Sequence, residues 1–358
     1  MEATKSPAAR MEGLKLNEGW IVSEKIDRPP GHSGGCFSHS YRLTREDGRQ
    51  AFLKALDFTE ALRAPEATRV LQALTEAYNF ERDVLERCRE SRLTKVVLSI
   101  GAGSAVVDSA SEIGTVHYLI FELADGDIRD FVGVDGEFSV AFAFRTLHHV
   151  AVGLQQIHSL DIAHQDLKPS NVLLFKGVSS KIADFGQSAC MGMRSPLQEE
   201  AIPGDYVYAP PEFLFGYRVP DWRIQKFGAD IYQFGSLAAF LLTGTGMTPA
   251  LLKNLPEQFY PENWGGTFRQ VLPYLSAAYS DALEDIGGAL QGLYADFLTA
   301  GDLGDLFAAL EQLCQPDPEM RGHPRDRARG TQTSMERYIS LFDRLAGRSE
   351  FQLKNRLS

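Results

Sequence analysis

Hydrophobic and polar positions change rhythm once along this chain. Up to about residue 125, short apolar stretches alternate with polar ones, the period expected of strands. WIVSEKID, SYRLT and QAFLKALD read as strands between 19 and 58, with an Asp47-Gly48 turn before the third. Residues 65–89 read as a helix, because Phe80, Val84, Leu85 and Cys88 recur at spacings of three and four. Two more strands are expected near 95–101 and 116–123. Beyond Asp125-Gly126-Asp127 the helical period takes over. A helix over 138–159 carries Val140, Phe144, Leu147, Ala151 and Leu154 on one face. Short strands follow at 172–174 and 181–183, and the chain from Gly228 onward is almost wholly helical. Ile286, Leu290, Leu293 and Phe297 mark one late helix, and Leu303, Leu306, Leu310 and Leu313 another. The pattern predicts an α+β protein: a flexible tail over 1–18, a β-rich part over 19–125, an α-rich part over 126–345 and a C-terminal tail over 346–358.

With 358 residues and 44% hydrophobic content, the chain can bury a large core, and its length fits two domains or lobes. A formal charge of −11 argues against a nucleic-acid partner but not against a nucleotide site, where a few local cations suffice. No apolar run approaches the ~18 residues of a membrane span, and the N-terminus lacks the apolar core of a secretion signal. Cys36, Cys88, Cys190 and Cys314 are scattered without metal-ligand spacing. A soluble protein of a reducing cytoplasm, away from membranes, is expected.

The chemistry concentrates in His164-Gln165-Asp166-Leu167-Lys168-Pro169-Ser170-Asn171 and in Asp184-Phe185-Gly186. Asp166 can accept a proton from a hydroxyl nucleophile, while Asn171 and Asp184 offer hard oxygen donors suited to Mg²⁺. Together these stretches resemble the catalytic and metal-binding loops of the eukaryotic-like (Hanks-type) protein Ser/Thr kinases. Gly204-Asp205-Tyr206-Val207-Tyr208-Ala209-Pro210-Pro211-Glu212, Asp230 in GADIYQFGS, and Arg321 add later marks in the same order. The resemblance spans about residues 19–345.

The resemblance implies a bilobal fold, a small β-rich lobe with one main helix and a larger helical lobe, with ATP in the cleft. It assigns Lys54 to the α- and β-phosphates and an ion-paired carboxylate to positioning it. Glu81 and Asp83 compete for that carboxylate, and Glu81 is preferred because Leu85 then faces the core one turn away. Lys168 would steady the transferred phosphoryl group, and Asn171 and Asp184 would bind Mg²⁺. Gly34 and Gly35 would border the phosphates. Main-chain groups of Glu122 and Ala124 would bond the adenine edge behind a bulky Phe121, Leu173 would form the adenine floor, and Asp127 would reach a ribose hydroxyl. His164 would pack under Phe185, Asp230 would brace the catalytic loop, and Glu212 would pair with Arg321 in the interior.

The chain departs from the family in places. Of the three-glycine pattern only Gly35 survives in Ser33-Gly34-Gly35-Cys36-Phe37-Ser38-His39-Ser40. Ser40 stands where Val is usual and Phe52 where Ala is usual. Gln165 replaces the Arg that normally meets a phosphorylated activation-loop residue, which predicts activity independent of loop phosphorylation and insensitive to changes at Ser188 and Ser195. Asp205 replaces a Thr that usually bridges Asp166 and Lys168.

These readings converge on an ATP- and Mg²⁺-dependent kinase acting on protein Ser or Thr hydroxyls. The alternative is a catalytically impaired nucleotide-binding scaffold that holds a partner protein, with a small-molecule kinase third. The long span over residues 245–315, including FYPENW at 259–264, is a candidate docking surface, with extra core helices as the competing reading.

Overall fold

The computed structural model describes residues 6–26, 38–108, 114–131, 140–176, 179–196 and 202–357. Packing divides the chain into two compact units. The first comprises Met1–Arg92 with Val97–Asp125, and the second Leu93–Val96 with Gly126–Ser358.

The first unit is built on a five-stranded antiparallel sheet of β1 (Trp20–Ile26), β2 (Ser38–Arg45), β3 (Gln50–Leu56), β4 (Ser99–Val106) and β5 (Thr115–Glu122), in the order β1-β2-β3-β5-β4. Alternation sorts β3 cleanly. Ala51, Leu53 and Ala55 are fully buried, while Phe52 and Lys54 lie on the opposite face. Asp47 and Gly48 make the turn between β2 and β3, Gly48 taking φ 81°. After a single turn, α1 (Thr59–Leu62), comes α2 (Ala67–Glu90), which buries Tyr78, Phe80, Glu81, Val84, Leu85 and Cys88 along its second half.

Residues 6–18, assigned above to a flexible tail, are part of this unit. Ala8, Met11 and Leu16 pack with Trp20, Val22, Tyr41 and Leu43. The Tyr41 hydroxyl donates to the Ala8 carbonyl at 2.6 Å, and main-chain bonds join Gly13 to Val22 and Val22 to Leu14. Three apolar side chains too sparsely spaced to show a period are enough to pin the segment. The fourth strand also begins later than predicted. Leu93–Val96 goes with the second unit, where Gln156 Oε1 accepts from the N–H of Lys95 and the Lys95 carbonyl accepts from Ile182.

The second unit carries two small sheets. β6 (Gly126–Asp127), β8 (Val172–Phe175) and β9 (Ser179–Ile182) form one, in the order β6-β8-β9, and β7 (Ile162–Ala163) pairs with β10 (Ala189–Cys190) in the other. Residues 164–171 therefore lie between β7 and β8, and 184–187 between β9 and β10. Its helices are α3 (Val140–His158), α4 (Pro211–Leu214), α5 (Trp222–Thr243), α6 (Met247–Asn254), α7 (Phe268–Tyr294), α8 (Ala300–Leu313), α9 (Pro324–Arg327) and α10 (Glu336–Leu357). Almost every residue of α5 from Phe227 to Leu242 is buried.

Residues 346–357, read above as a tail, continue α10 along α3. Arg145 of α3 pairs with Asp343 and Glu350, and the ring centroids of Phe144 and Phe342 lie 6.4 Å apart. Phe342, Leu345, Ala346 and Ser349 recur at three and four and are buried, but two of the four are small, so the stripe is weak in the sequence. Ile286 and Leu290 are buried in α7, whereas Leu293 is 55% exposed and Phe297 lies past the helix end. The 245–315 span supplies α6, α7 and α8. Its FYPENW segment folds into a local aromatic cluster, with Phe259 stacked on Tyr274 at 3.8 Å. No single helix among the described residues is long and apolar enough to cross a membrane.

Candidate active site

In the first unit, Lys54 Nζ donates to both carboxylate oxygens of Glu81, at 2.9 and 3.0 Å. Strand alternation carries Lys54 off the core face of β3, and the helical period brings Glu81 inward beside Val84 and Leu85. Asp83 turns outward and pairs with Arg82, which settles the competition between the two carboxylates. Ser40 is opposite Lys54 in the register and buried, while Phe52 is opposite Phe121 with ring centroids 6.3 Å apart. Cross-strand partners share a face, so Phe52, Phe121, Ser40 and Lys54 lie on one side of the sheet. β5 ends at Glu122, whose side chain accepts from the N–H of Leu98 at 2.7 Å, and Ala124 stands just past the ladder. Gly34, Gly35 and Cys36 lie outside the described residues.

In the second unit the catalytic loop is tied down from below by α5. Asp230 is fully buried and accepts from the N–H groups of His164 and Gln165, both at 2.8 Å, and from His158 Nε2 at 2.8 Å. Burial alone would raise its pKa, but the His158 hydrogen bond and the neighbouring histidines and main-chain donor outweigh it and hold the pKa low. Gln233, one turn on, accepts from the N–H of Leu167 and donates to the Gln165 carbonyl, both at 3.0 Å. Its role was missed in the sequence, where the signal was a second polar residue three positions after Asp230 in an otherwise apolar helix. Gln165 takes φ 67° and is buried, its Nε2 donating to the Lys226 carbonyl at 2.8 Å. His164 bonds the Ala183 carbonyl at 2.9 Å and meets Phe185 edge-on at 5.1 Å.

On this base Asp166, Lys168 and Asn171 converge. Asn171 Nδ2 donates to the Asp166 carbonyl at 2.7 Å and to its Oδ2 at 3.0 Å; Lys168 Nζ also reaches Oδ2 at 3.0 Å. The other oxygen, Oδ1, accepts from the N–H of Asp205 at 3.0 Å. Gly204 permits that approach: it sits at φ +80°, and a Cβ there would stand 2.5 Å from Oδ1. Asp166 is 5% exposed. Burial pushes its pKa above the ordinary carboxylate value, Lys168 pulls it back, and Asp184 adds to the rise. Asp205 lies 3.7 Å from Lys168, so a carboxylate flanks the ammonium on each side.

Asp184 occupies a left-handed conformation (φ 64°, ψ 82°) at the end of β9 and is exposed. Because Asn171 Nδ2 is committed to Asp166, its Oδ1 is the atom left for a ligand role, with Ser170 Oγ at 3.4 Å. An amide oxygen and an exposed carboxylate fit a hard cation that keeps water and phosphate oxygens as its remaining ligands, as Mg²⁺ does. Leu173 sits half-buried on β8 opposite Asp127. Asp127 departs from expectation. Its carboxylate is engaged by Arg129, at 2.9 Å to Nε and 2.7 Å to Nη2, and also caps the Arg129 N–H. A cation two residues on captures the group read as a ribose partner.

Farther along, Arg321 and Glu212 form a bidentate pair at 2.8 and 2.9 Å, 1% and 0% exposed. Arg321 also donates to the carbonyls of Gly228 and Gln315. Ser188 and Ser195 are buried, their hydroxyls held by the carbonyls of Phe185 and Ser188. An acidic residue at either position would bury a charge, so alanine is the substitution that tests loop modification there.

The chain belongs to the protein kinase domain family, whose sequence model matches residues 35–258. It is 25% identical over 215 residues to a probable serine/threonine-protein kinase PknB of Lactococcus lactis, covering 59% of this chain and 32% of that protein. It is 29% identical over 212 residues to serine/threonine-protein kinase chk-1 of Caenorhabditis elegans, covering 57% of this chain and 40% of the other. Against serine/threonine-protein kinase H1 of Mus musculus it is 26% identical over 278 residues, 75% of this chain and 59% of that one. The chain thus spans less than two thirds of the length of each of these relatives.

Proposed function

We propose that this chain is an ATP- and Mg²⁺-dependent protein kinase that transfers the γ-phosphate to Ser or Thr hydroxyls of proteins. The observation that carries this reading is the convergence of Lys168 and Asn171 on Asp166. Asp166 would accept the hydroxyl proton, in keeping with a pKa raised by burial. Lys168 would offset charge on the moving phosphoryl group, and Lys54, held by Glu81, would orient the α- and β-phosphates. Asn171 and Asp184 would hold Mg²⁺, which when bound offsets phosphate charge. Glu122, Ala124 and Leu173 would receive the adenine. Cys88, Cys190 and Cys314 are buried and form no disulfide among the described residues, which supports placement in the reducing cytoplasm.

A second reading, a nucleotide-binding scaffold, is favoured by the Phe52–Phe121 packing on the face that carries Lys54. In it, residues 245–315 would dock a partner protein, with Tyr274 and Leu293 of α7 as exposed apolar contacts. Transfer of label from γ-labelled ATP to a Ser/Thr-bearing protein, with and without Mg²⁺, separates the two. Mg²⁺-dependent labelling supports the kinase. ATP binding without labelling selects the scaffold, and labelling of a hydroxylated metabolite alone selects a small-molecule kinase.

A further inference from the structure

The second unit holds a cavity of about 420 Å³, walled by residues 187–193 with Ser195, and by side chains that include Phe213, Arg218, Trp222 and Lys226. Its volume falls in the range of small-molecule sites, about 300–1,000 Å³. Arg218 and Lys226 are the charged residues lining it, and no carboxylate does among the described residues. Lys226 Nζ has no hydrogen-bond or ion-pair partner among the described residues, only the Phe213 ring at 6.0 Å. Burial depresses its pKa; the charge of Asp230 pulls the other way, and that of Arg218 adds to the depression. The Asp230 oxygens, however, are taken by His158, His164 and Gln165. Across the cavity wall, Gln187 Oε1 is buried without a hydrogen-bond partner among the described residues.

A half-buried cation without a counter-ion and a buried acceptor without a donor are both costly, and together they specify what would relieve them. An anion answers Lys226, and Arg218 adds positive charge at the exposed edge of the cavity. Gln187 requires a donor, which a bare carboxylate lacks and a hydroxyl provides. Trp222 and Phe213 give the cavity an apolar wall for a carbon skeleton. We propose that this cavity binds a small, hydroxyl-bearing phosphate monoester, with Lys226 and Arg218 on the phosphate and Gln187 on a hydroxyl. The carbonyl of Lys226 also accepts from Gln165, so the cavity adjoins the residue before Asp166. The inference does not depend on catalytic activity.

Glycerol 3-phosphate titrated into the full chain, followed by the fluorescence of Trp222, tests it. The expected result is a saturable change that disappears in Trp222→Phe, weakens at least tenfold in Lys226→Met, and is unaffected by Lys54→Met. Arg218→Gln, at an exposed position, should weaken binding severalfold and serves if Lys226→Met does not fold. The proposal is overturned by absence of saturation, by equal binding of glycerol, or by unchanged binding in both the Lys226 and Arg218 variants. Loss of binding in Lys54→Met would also overturn it, because the ligand would then occupy the nucleotide site.

Discussion

The main-chain N–H of Asp205 reaches Oδ1 of Asp166 at 3.0 Å, while the Asp205 carboxylate lies 3.7 Å from Nζ of Lys168. The peptide after Gly204 thus seats the base, and the side chain shares its ammonium partner. Gly204→Ala would drive a methyl group into Asp166, and it should lower kcat by about a hundredfold with little change in the KM for ATP. Asp205→Asn keeps the N–H and the cap on Val207 and should cost only severalfold. Steady-state kinetics on the two variants checks this ordering, and a larger loss in Asp205→Asn would contradict it.

Lys54→Met removes the cation from the Glu81 pair, which is part-buried at the lysine. Transfer should fall by roughly a hundredfold or more, the scale for losing one preorganised charged donor. The melting temperature should shift by only a few degrees. A radiolabel assay beside a thermal melt reads both, and unchanged turnover would remove Lys54 from the site.

Glu212 and Arg321 are buried and mutually satisfied, so removing one partner leaves an unpaired charge. Glu212→Ala should destabilise the fold by about 3–5 kcal/mol, and the double variant Glu212→Leu/Arg321→Met should recover part of that loss. Chemical denaturation of the single and double variants measures it.

His149 is 8% exposed, and burial depresses its pKa to about 3, with Lys95 adding to the effect. Its Nδ1 accepts from the N–H of Ser180 at 3.2 Å, which requires the neutral ring. Unfolding restores an ordinary pKa near 6.5. The unfolded chain therefore binds the extra proton as pH falls below that value, and stability declines from about pH 6.5 toward pH 3. By pH 5 the loss from this group should be roughly 2 kcal/mol. In His149→Gln the stability–pH curve should be flatter over this interval, and an unchanged slope would contradict the assignment.

The residues most legible in the sequence were those bound to a local period or a local motif. Lys54 and Glu81 follow from strand alternation and helical spacing, and Asp166, Lys168 and Asn171 lie within six residues of one another. What escaped had two causes. Gln233 acts on a loop 66 residues earlier in the chain, and Asp127 meets Arg129, only two residues on, through a turn geometry that spacing alone does not specify. The two supposed tails failed for a related reason. Met11 is fully buried but stands between Arg10 and Glu12, and the buried residues of the second segment, Ala346 and Ser349, are too small to mark a face, so only tertiary packing reveals the buried side.

The most direct test of the account is phosphate transfer from γ-labelled ATP with Mg²⁺, wild type beside Asp166→Ala, with ATP binding followed in parallel by thermal shift. The account predicts labelling of itself or of a Ser/Thr-bearing protein by the wild type, and its loss by at least a hundredfold in Asp166→Ala, with ATP binding retained. Labelling that persists in Asp166→Ala, or a wild type that binds ATP and transfers nothing, would contradict it.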